Sequence, residues 1–391
     1  MRIDLFFIVS ALLFLGDIFG YNGYRLSQVG IFFLAILIIG RNSYLSKRAL
    51  RLLGLLVVYN FCLNILSLVK LPNSTFKLLI TFFILLSAFY VNGSTYRRLL
   101  SYYLMFSSFV VAIWWIQLVT YILSMLSSIN LEFIYDSSYW SGSGILHKVG
   151  VLPRLNSLYS EPSYLGLFLL PLFSYYFRGK VTLKTTLILV PIIMTLSLNV
   201  YVGLGVAFLL FFKLNYKMFL FFSFFLLVVS LLGLDEYVLH RISVDSDHID
   251  LTLLIYILHV QGFLSIWTSL IFGYGVDNYA LLFDGWRSNF EVSDIVTIAQ
   301  TIPDEDLMLR SGPLLIIRMF VELGYAFVLL LLLIFRRYIF VKTIWLYAII
   351  GLSLRDGDYL RPFFLFFLIM HFSYSVILHS ETQEEVKVAR M

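Results

Sequence analysis

Charge is scarce along this chain: only 13% of its 391 residues are Asp, Glu, Lys or Arg, while 60% are hydrophobic and 18% aromatic. Soluble domains carry about 25% charged residues, so this composition excludes a water-soluble enzyme and fits a polytopic membrane protein. Length alone would suggest two or three domains. Helices that pack against one another in lipid escape that prior, and a single integral domain over residues 1–391 is expected. Cysteine is almost absent. Cys62 is the only one, which excludes an intrachain disulfide and leaves the redox compartment unmarked; a small core residue is a sufficient account of it. The net charge of +5 is small, and basic loops beside membrane spans explain it, which removes nucleic acid from the list of partners. No repeat of fixed period and no low-complexity tract is present. No small-residue cleavage site follows Met1-Arg2, so the first apolar stretch is expected to remain as a span.

What is present is a series of apolar runs, each near the length of about 20 residues that crosses a hydrocarbon core. Twelve are placed, near residues 3–20, 25–40, 50–69, 76–93, 99–127, 162–178, 183–198, 200–213, 217–234, 312–335, 343–355 and 361–379. Asn199 and two glycines interrupt the stretch 183–213, which reads as one span or two. With Met1 in the cytoplasm, the loops at Arg41, Lys47, Arg48 and Arg51, at Arg97 and Arg98, at Arg178, Lys180 and Lys184, at Lys213 and Lys217, and at Arg336, Arg337 and Lys342 all fall inside. That is the positive-inside pattern, kept loop after loop. The apolar segment 251–271 would reverse it if it crossed, and it carries His259 and Gln261 at its middle. It is therefore expected to lie as an interfacial helix.

Two long outer loops follow from this topology, at 128–161 and 235–311. The second mixes aromatics with clustered charge and has material to fold against the membrane domain. The polar tail 381–391 is expected to fray in the cytoplasm. The outer cations are Arg25, Lys70, Lys77, Lys148, Arg154, Arg241, Arg287, Arg310, Arg318, Arg355 and Arg361. Arginine prevails among them, and its planar fork suits a bidentate grip on phosphate or carboxylate. The plainer account pairs each arginine with a nearby acid, among them Asp235, Glu236, Asp304, Glu305, Asp306, Glu322, Asp356 and Asp358.

Three short stretches concentrate candidate chemistry. In Arg154-Leu-Asn-Ser-Leu-Tyr-Ser-Glu161-Pro162 a cation and an acid precede an apolar helix. Pro162 suits the first helical position, and Glu161 before it suits the positive end of the helix dipole. The same acid is placed to accept a proton from a sugar hydroxyl. In Leu354-Arg355-Asp-Gly-Asp-Tyr-Leu-Arg361-Pro362 two arginines flank two carboxylates on a turn; a turn closed by its own salt bridges competes with an anion site there. His240-Arg241 is a candidate acid–base pair, against a structural histidine at an interface. Gly273-Tyr-Gly275 is too short to imply nucleotide binding, and no strand precedes it.

Taken in order, these features resemble the Wzy-type O-antigen and capsular polysaccharide polymerases of bacterial inner membranes. Ser160-Glu-Pro-Ser-Tyr-Leu-Gly166 resembles the family's Glu-Pro-Ser helix start, and Phe272-Gly-Tyr-Gly-Val-Asp-Asn278 its glycine turn. Phe320-Val-Glu-Leu-Gly324 resembles the span after the large outer loop, and Leu354-Arg-Asp-Gly-Asp-Tyr359 the last short loop. The likeness covers roughly residues 150–375. It implies an all-α, GT-C-like membrane enzyme: a metal-independent, cofactor-free, inverting glycosyltransferase. Its reaction would move a growing glycan from undecaprenyl diphosphate to the non-reducing end of an undecaprenyl-diphosphate-linked repeat unit on the periplasmic face. Glu161, Arg154 and His240 are the expected catalytic residues. Arg241, Arg287, Arg310, Arg318, Arg355 and Arg361 are the expected diphosphate ligands. A lipid-linked oligosaccharide, membrane lipids, a chain-length regulator and a flippase are the implied partners.

Two alternatives stand beside it. O-antigen ligases share the architecture but carry a histidine ahead of the Glu-x-Gly span, where this chain reads Arg310-Ser-Gly-Pro. That leaves His240 or His248 for such a role in the loop. A lipid-linked oligosaccharide flippase would show short, even loops and charges within its spans, whereas here charge gathers in one outer loop.

Overall fold

Asp4 opens the first helix, where its Oδ1 accepts a 3.0 Å hydrogen bond from the Phe6 N–H and so caps one of the donors that a helix start leaves over. The computed structural model describes residues 4–16, 20–21, 24–41, 54, 58–59, 72–127, 131–135, 148–149, 152–153, 155, 157–159, 162–177, 182–195, 197, 199–201, 203–205, 260, 263–264, 266, 270–274, 315–339, 341–355 and 361–388. Among them the main elements are helices: α1 (Leu5–Leu15), α2 (Leu26–Gly40), α3 (Pro72–Ser87), α4 (Gly93–Leu126), the single turn α5 (Glu132–Tyr135), α6 (Pro162–Phe177), α7 (Leu183–Met194), α8 (Leu315–Ile339), α9 (Leu346–Arg355) and α10 (Pro362–Val388). Extended pairing among the described residues is confined to two antiparallel ladders of two residues per strand. Gly20–Tyr21 faces Tyr24–Arg25 between α1 and α2, and Lys148–Val149 faces Leu152–Pro153 ahead of α6.

The architecture is thus all-α. Two described helices are long and apolar enough to cross a membrane, Gly93–Leu126 and the Pro362–His379 part of α10; Leu5–Leu15, Leu26–Gly40, Leu79–Tyr90 and Leu183–Met194 are apolar but shorter. Several boundaries fall where the apolar runs end, as at Leu26–Gly40 and Pro162–Phe177. Others do not. The first helix stops at Gly16, where a Cβ would come within 2.6 Å of the Ser27 backbone N, so the residue that ends the helix also lets the start of α2 pack closely against it. The tail expected to fray continues α10 as helix to Val388. Glu, Gln and Lys are good helix formers, and hydropathy does not report on that. The span expected at 312–335 is bent at Gly324. All of the span at 217–234, most of those at 50–69 and 200–213, and most of 251–271 and of the outer loops 128–161 and 235–311 lie outside the described residues.

An aromatic cluster joins α1, α4, α6 and α10 with Trp345, the residue just ahead of α9. Phe14 meets Phe366 edge-on at 4.9 Å, Tyr103 meets Trp345 at 4.9 Å and Phe168 at 5.3 Å, and Trp345 stacks on Phe367 at 5.7 Å. Edge-to-face and offset contacts of this kind add about 0.5–1.5 kcal/mol each beyond area burial. The outer surface of α4 is apolar as well, with Met105, Phe109, Ile116, Val119, Ile122 and Leu123 all exposed.

Charged groups gather at one end. The Arg41 guanidinium lies 4.5 Å from the Phe6 ring centroid, and Arg98 sits 3.6 Å from Asp4, whose carboxylate also accepts from the Tyr102 hydroxyl at 2.5 Å. Asp4 stands just ahead of α1. Tyr96 meets Tyr374 at 5.8 Å and Tyr338 meets His379 at 5.6 Å, so the Arg336–Arg337 end of α8 joins the same side through α10. Three of the basic loops expected to share one face of the membrane therefore adjoin in the fold.

Candidate functional site

At the far end of α10 from that charged side, α6 and α10 begin together. Each opens with a proline, whose missing N–H is not needed in a first helical turn. The Arg361 guanidinium lies 5.0 Å from the Tyr164 ring centroid, within the range at which a cation is drawn to an aromatic face. One turn on, Phe168 packs against Phe363 at 5.3 Å, and Tyr159 meets the same phenylalanine at 5.3 Å from the turn that leads into α6. The stretches around Arg154–Glu161 and Arg355–Arg361 are remote in sequence, yet their described neighbours form one corner of the molecule.

That turn is held from α4. Ser157 adopts a left-handed backbone with φ 53°. Its N–H donates to Gln117 Oε1 at 3.0 Å, its carbonyl accepts from Gln117 Nε2 at 3.3 Å, and its hydroxyl donates to the Val110 carbonyl at 2.9 Å. Gln117 is 1% exposed and Ser157 2%. Leu155 and Tyr159 on either side are fully buried.

Two helix interruptions shape the surroundings. In α6, Pro171 cannot donate to the ladder, and the Tyr103 hydroxyl from α4 enters the gap: it accepts from the Leu172 N–H at 3.1 Å and donates to the Phe168 carbonyl at 2.6 Å. The second interruption is Gly324 in α8, with φ 77° and ψ 161°, a conformation only glycine adopts readily. Residues 270–274 cross it there. The N–H of Tyr274 donates to Val321, that of Tyr325 to Leu270 and that of Ala326 to Ile271, at 2.9–3.0 Å. Gly273 also has a positive φ of 74°, and a Cβ on it would lie 2.5 Å from the Gly324 N. The Tyr59 hydroxyl approaches both the Phe272 and Leu323 carbonyls, at 2.8 and 2.7 Å, while its ring stacks on Phe327 at 4.4 Å. The glycine turn and the Glu-x-Gly stretch singled out in the sequence thus lie against each other.

The expected site residues fare unequally. Arg361 reaches the start of α6. Arg318 is engaged by Glu322 one turn on, Nε to Oε1 at 2.7 Å, with the acid 0% and the arginine 16% exposed; here the plainer account, an arginine matched by its neighbouring acid, supplies a partner. Arg355 ends α9. Arg154, Glu161, His240, Arg241, Arg287 and Arg310 lie outside the described residues. Sequence reasoning passed over Gln117, Ser157, Tyr59 and Tyr103. Gln117 had a readable signal, an amide within an apolar helix, whereas nothing in the sequence marks Ser157 for a left-handed backbone. No protein-family model, curated protein or solved structure matches this chain.

Proposed function

We propose that the protein is a polysaccharide polymerase of the bacterial inner membrane. It would have about twelve spans in a GT-C-like arrangement, periplasmic loops at 128–161 and 235–311, and an interfacial helix at 251–271. The apolar outer face of α4 supports the membrane reading, because water would penalise such a surface and lipid does not. The observation that carries the enzymatic reading is the corner where α6 and α10 begin, with Arg361 5.0 Å from Tyr164. It brings together described neighbours of two charged stretches, and on this reading both would lie at the membrane boundary, where isolated charge is costly.

The chemistry is a single displacement. Glu161 takes the proton from a hydroxyl at the non-reducing end of the acceptor repeat unit, and that oxygen attacks the anomeric carbon of the donor glycan. The bond from that carbon to the diphosphate oxygen breaks, configuration inverts, and undecaprenyl diphosphate leaves with the bonding pair. Arg361 and Arg154, with Arg241, Arg287, Arg310 and Arg355 from the outer loops, offset the charge that develops on the departing diphosphate. His240 is a further candidate for proton transfer, and Arg318 contributes as an ion pair with Glu322.

The test is what accumulates when the gene is deleted and when Arg361→Ala or Glu161→Ala replaces it. Single repeat units displayed on lipid A-core, restored to ladders by the wild type but by neither variant, support polymerisation. Precursor stalled in the cytoplasmic leaflet would identify a flippase instead. Full ladders from a variant would remove that residue from the mechanism.

A further inference from the structure

We propose that Gln117 is a positioning residue, which holds Ser157 in its left-handed conformation and thereby fixes the turn at 157–159 that leads towards α6. The inference rests on the polymerase reading for its consequence, since Arg154 and Glu161 bound that segment in sequence.

A primary amide within an apolar helix is unfavourable unless its donor and acceptor are both used. Gln117 spends both on one residue, taking the Ser157 N–H at 3.0 Å and giving to the Ser157 carbonyl at 3.3 Å. A turn that needed only closure would carry glycine or asparagine at a positive φ. Here a serine at φ 53° is fixed by three hydrogen bonds to two positions on one face of α4, Val110 and Gln117, with both partners of the amide clasp at 2% exposure or less. Strain held this firmly is a property of sites whose geometry must not drift. The corner supplies the reason: four residues beyond Ser157 the chain reaches Glu161, and it then enters the helix whose Tyr164 faces Arg361. Gln117 touches no reacting atom in this account. It acts through the turn.

The experiment uses full-length protein in lipid nanodiscs, with Cys62→Ala and a reporter introduced as Ser160→Cys. Two quantities are read: the labelling rate of the reporter by a charged maleimide, and kcat and KM for extension of undecaprenyl-diphosphate-linked repeat units. Gln117→Leu removes both amide bonds and is expected to change the labelling rate about tenfold and to lower kcat by about 10- to 100-fold, with KM within about twofold. Ser157→Gly keeps the positive φ and both amide bonds, so each quantity should stay within about threefold of wild type. Gln117→Glu retains the acceptor for the Ser157 N–H and should fall between them, which keeps the idea open to failure where Gln117→Leu does not fold. Unchanged labelling in both Gln117 variants overturns the proposal, as does Ser157→Gly being as damaging as Gln117→Leu. A changed labelling rate with wild-type kcat overturns the catalytic consequence. An inactive wild type that shows the same labelling contrast would sink the polymerase reading and leave the positioning intact.

Discussion

Helices α6 and α8 are both interrupted, and they are repaired in opposite ways. In α6 the fault is a proline, and a single foreign hydroxyl, that of Tyr103, stands in the ladder between the Leu172 N–H and the Phe168 carbonyl. In α8 the fault is a glycine with φ 77°, and a length of backbone, residues 270–274, exchanges three hydrogen bonds with it. The first repair is local and uses a side chain. The second ties the bend to another part of the chain and to Tyr59. The difference sets how each break should respond to substitution: one missing donor is replaceable, whereas two glycine backbones in contact are not.

Substitution at the glycine break should do the most harm. Gly324→Ala combines a positive φ and a Cβ that would overlap the Gly273 N, so a loss of about 4 kcal/mol or more, or failure to accumulate, is expected in thermal melts of the detergent-solubilised protein. A variant of normal stability would show that the two segments separate freely. Next, Glu322→Leu removes the buried acid that Arg318 meets at 2.7 Å and should cost about 3–5 kcal/mol. Replacing both partners by apolar residues should recover much of that, which a double-mutant cycle would read.

The proline break should be milder and reversible. Tyr103→Phe removes the inserted hydroxyl and should cost about 1–3 kcal/mol. In a Pro171→Ala background the ladder can close on itself, so the same substitution should cost less, and equal losses in the two backgrounds would deny the link between Tyr103 and the proline. Smallest of all, Tyr59→Phe keeps the stack on Phe327 and gives up a hydroxyl near two carbonyls, at about 1 kcal/mol. A larger loss there would mean that the crossing depends on the clasp more than on its own backbone bonds.

Several bounds of the described helices were legible because apolar runs show directly in composition. Arg41, Pro162 and Arg178 bound apolar runs, and α2 and α6 end where those residues predict. The bend in α8 was not legible, because a glycine within an apolar run reads as tolerated until its neighbour Gly273 is seen across from it. The polar, terminal tail was expected to fray, yet α10 runs on to Val388, because Glu, Gln and Lys are good helix formers. For the candidate site, the sequence offered kinds of side chain without their company. Arginine beside apolar helices is visible in one dimension, but the approach of Arg361 to Tyr164 is a product of packing between α6 and α10. Gln117 and Ser157 show the limit most clearly, since a hydrogen-bonded clasp exists only once both partners are placed.

The cluster around Asp4 bears on how the chain is made. Its carboxylate leaves the ribosome 98 residues ahead of the Tyr102 hydroxyl that holds it, with Arg98 arriving just before. At about 5–20 residues per second that is a wait of about 5–20 s, during which the hairpin of α1 and α2 rests on its own close packing and on the ladder between Gly20–Tyr21 and Tyr24–Arg25, with Arg41 over Phe6 at its charged end. Emergence of α4 then fastens the beginning of the chain to its longest helix. Nascent chains halted before residue 98 should leave the N-terminus open to protease, and chains halted well after α4 has emerged should protect it.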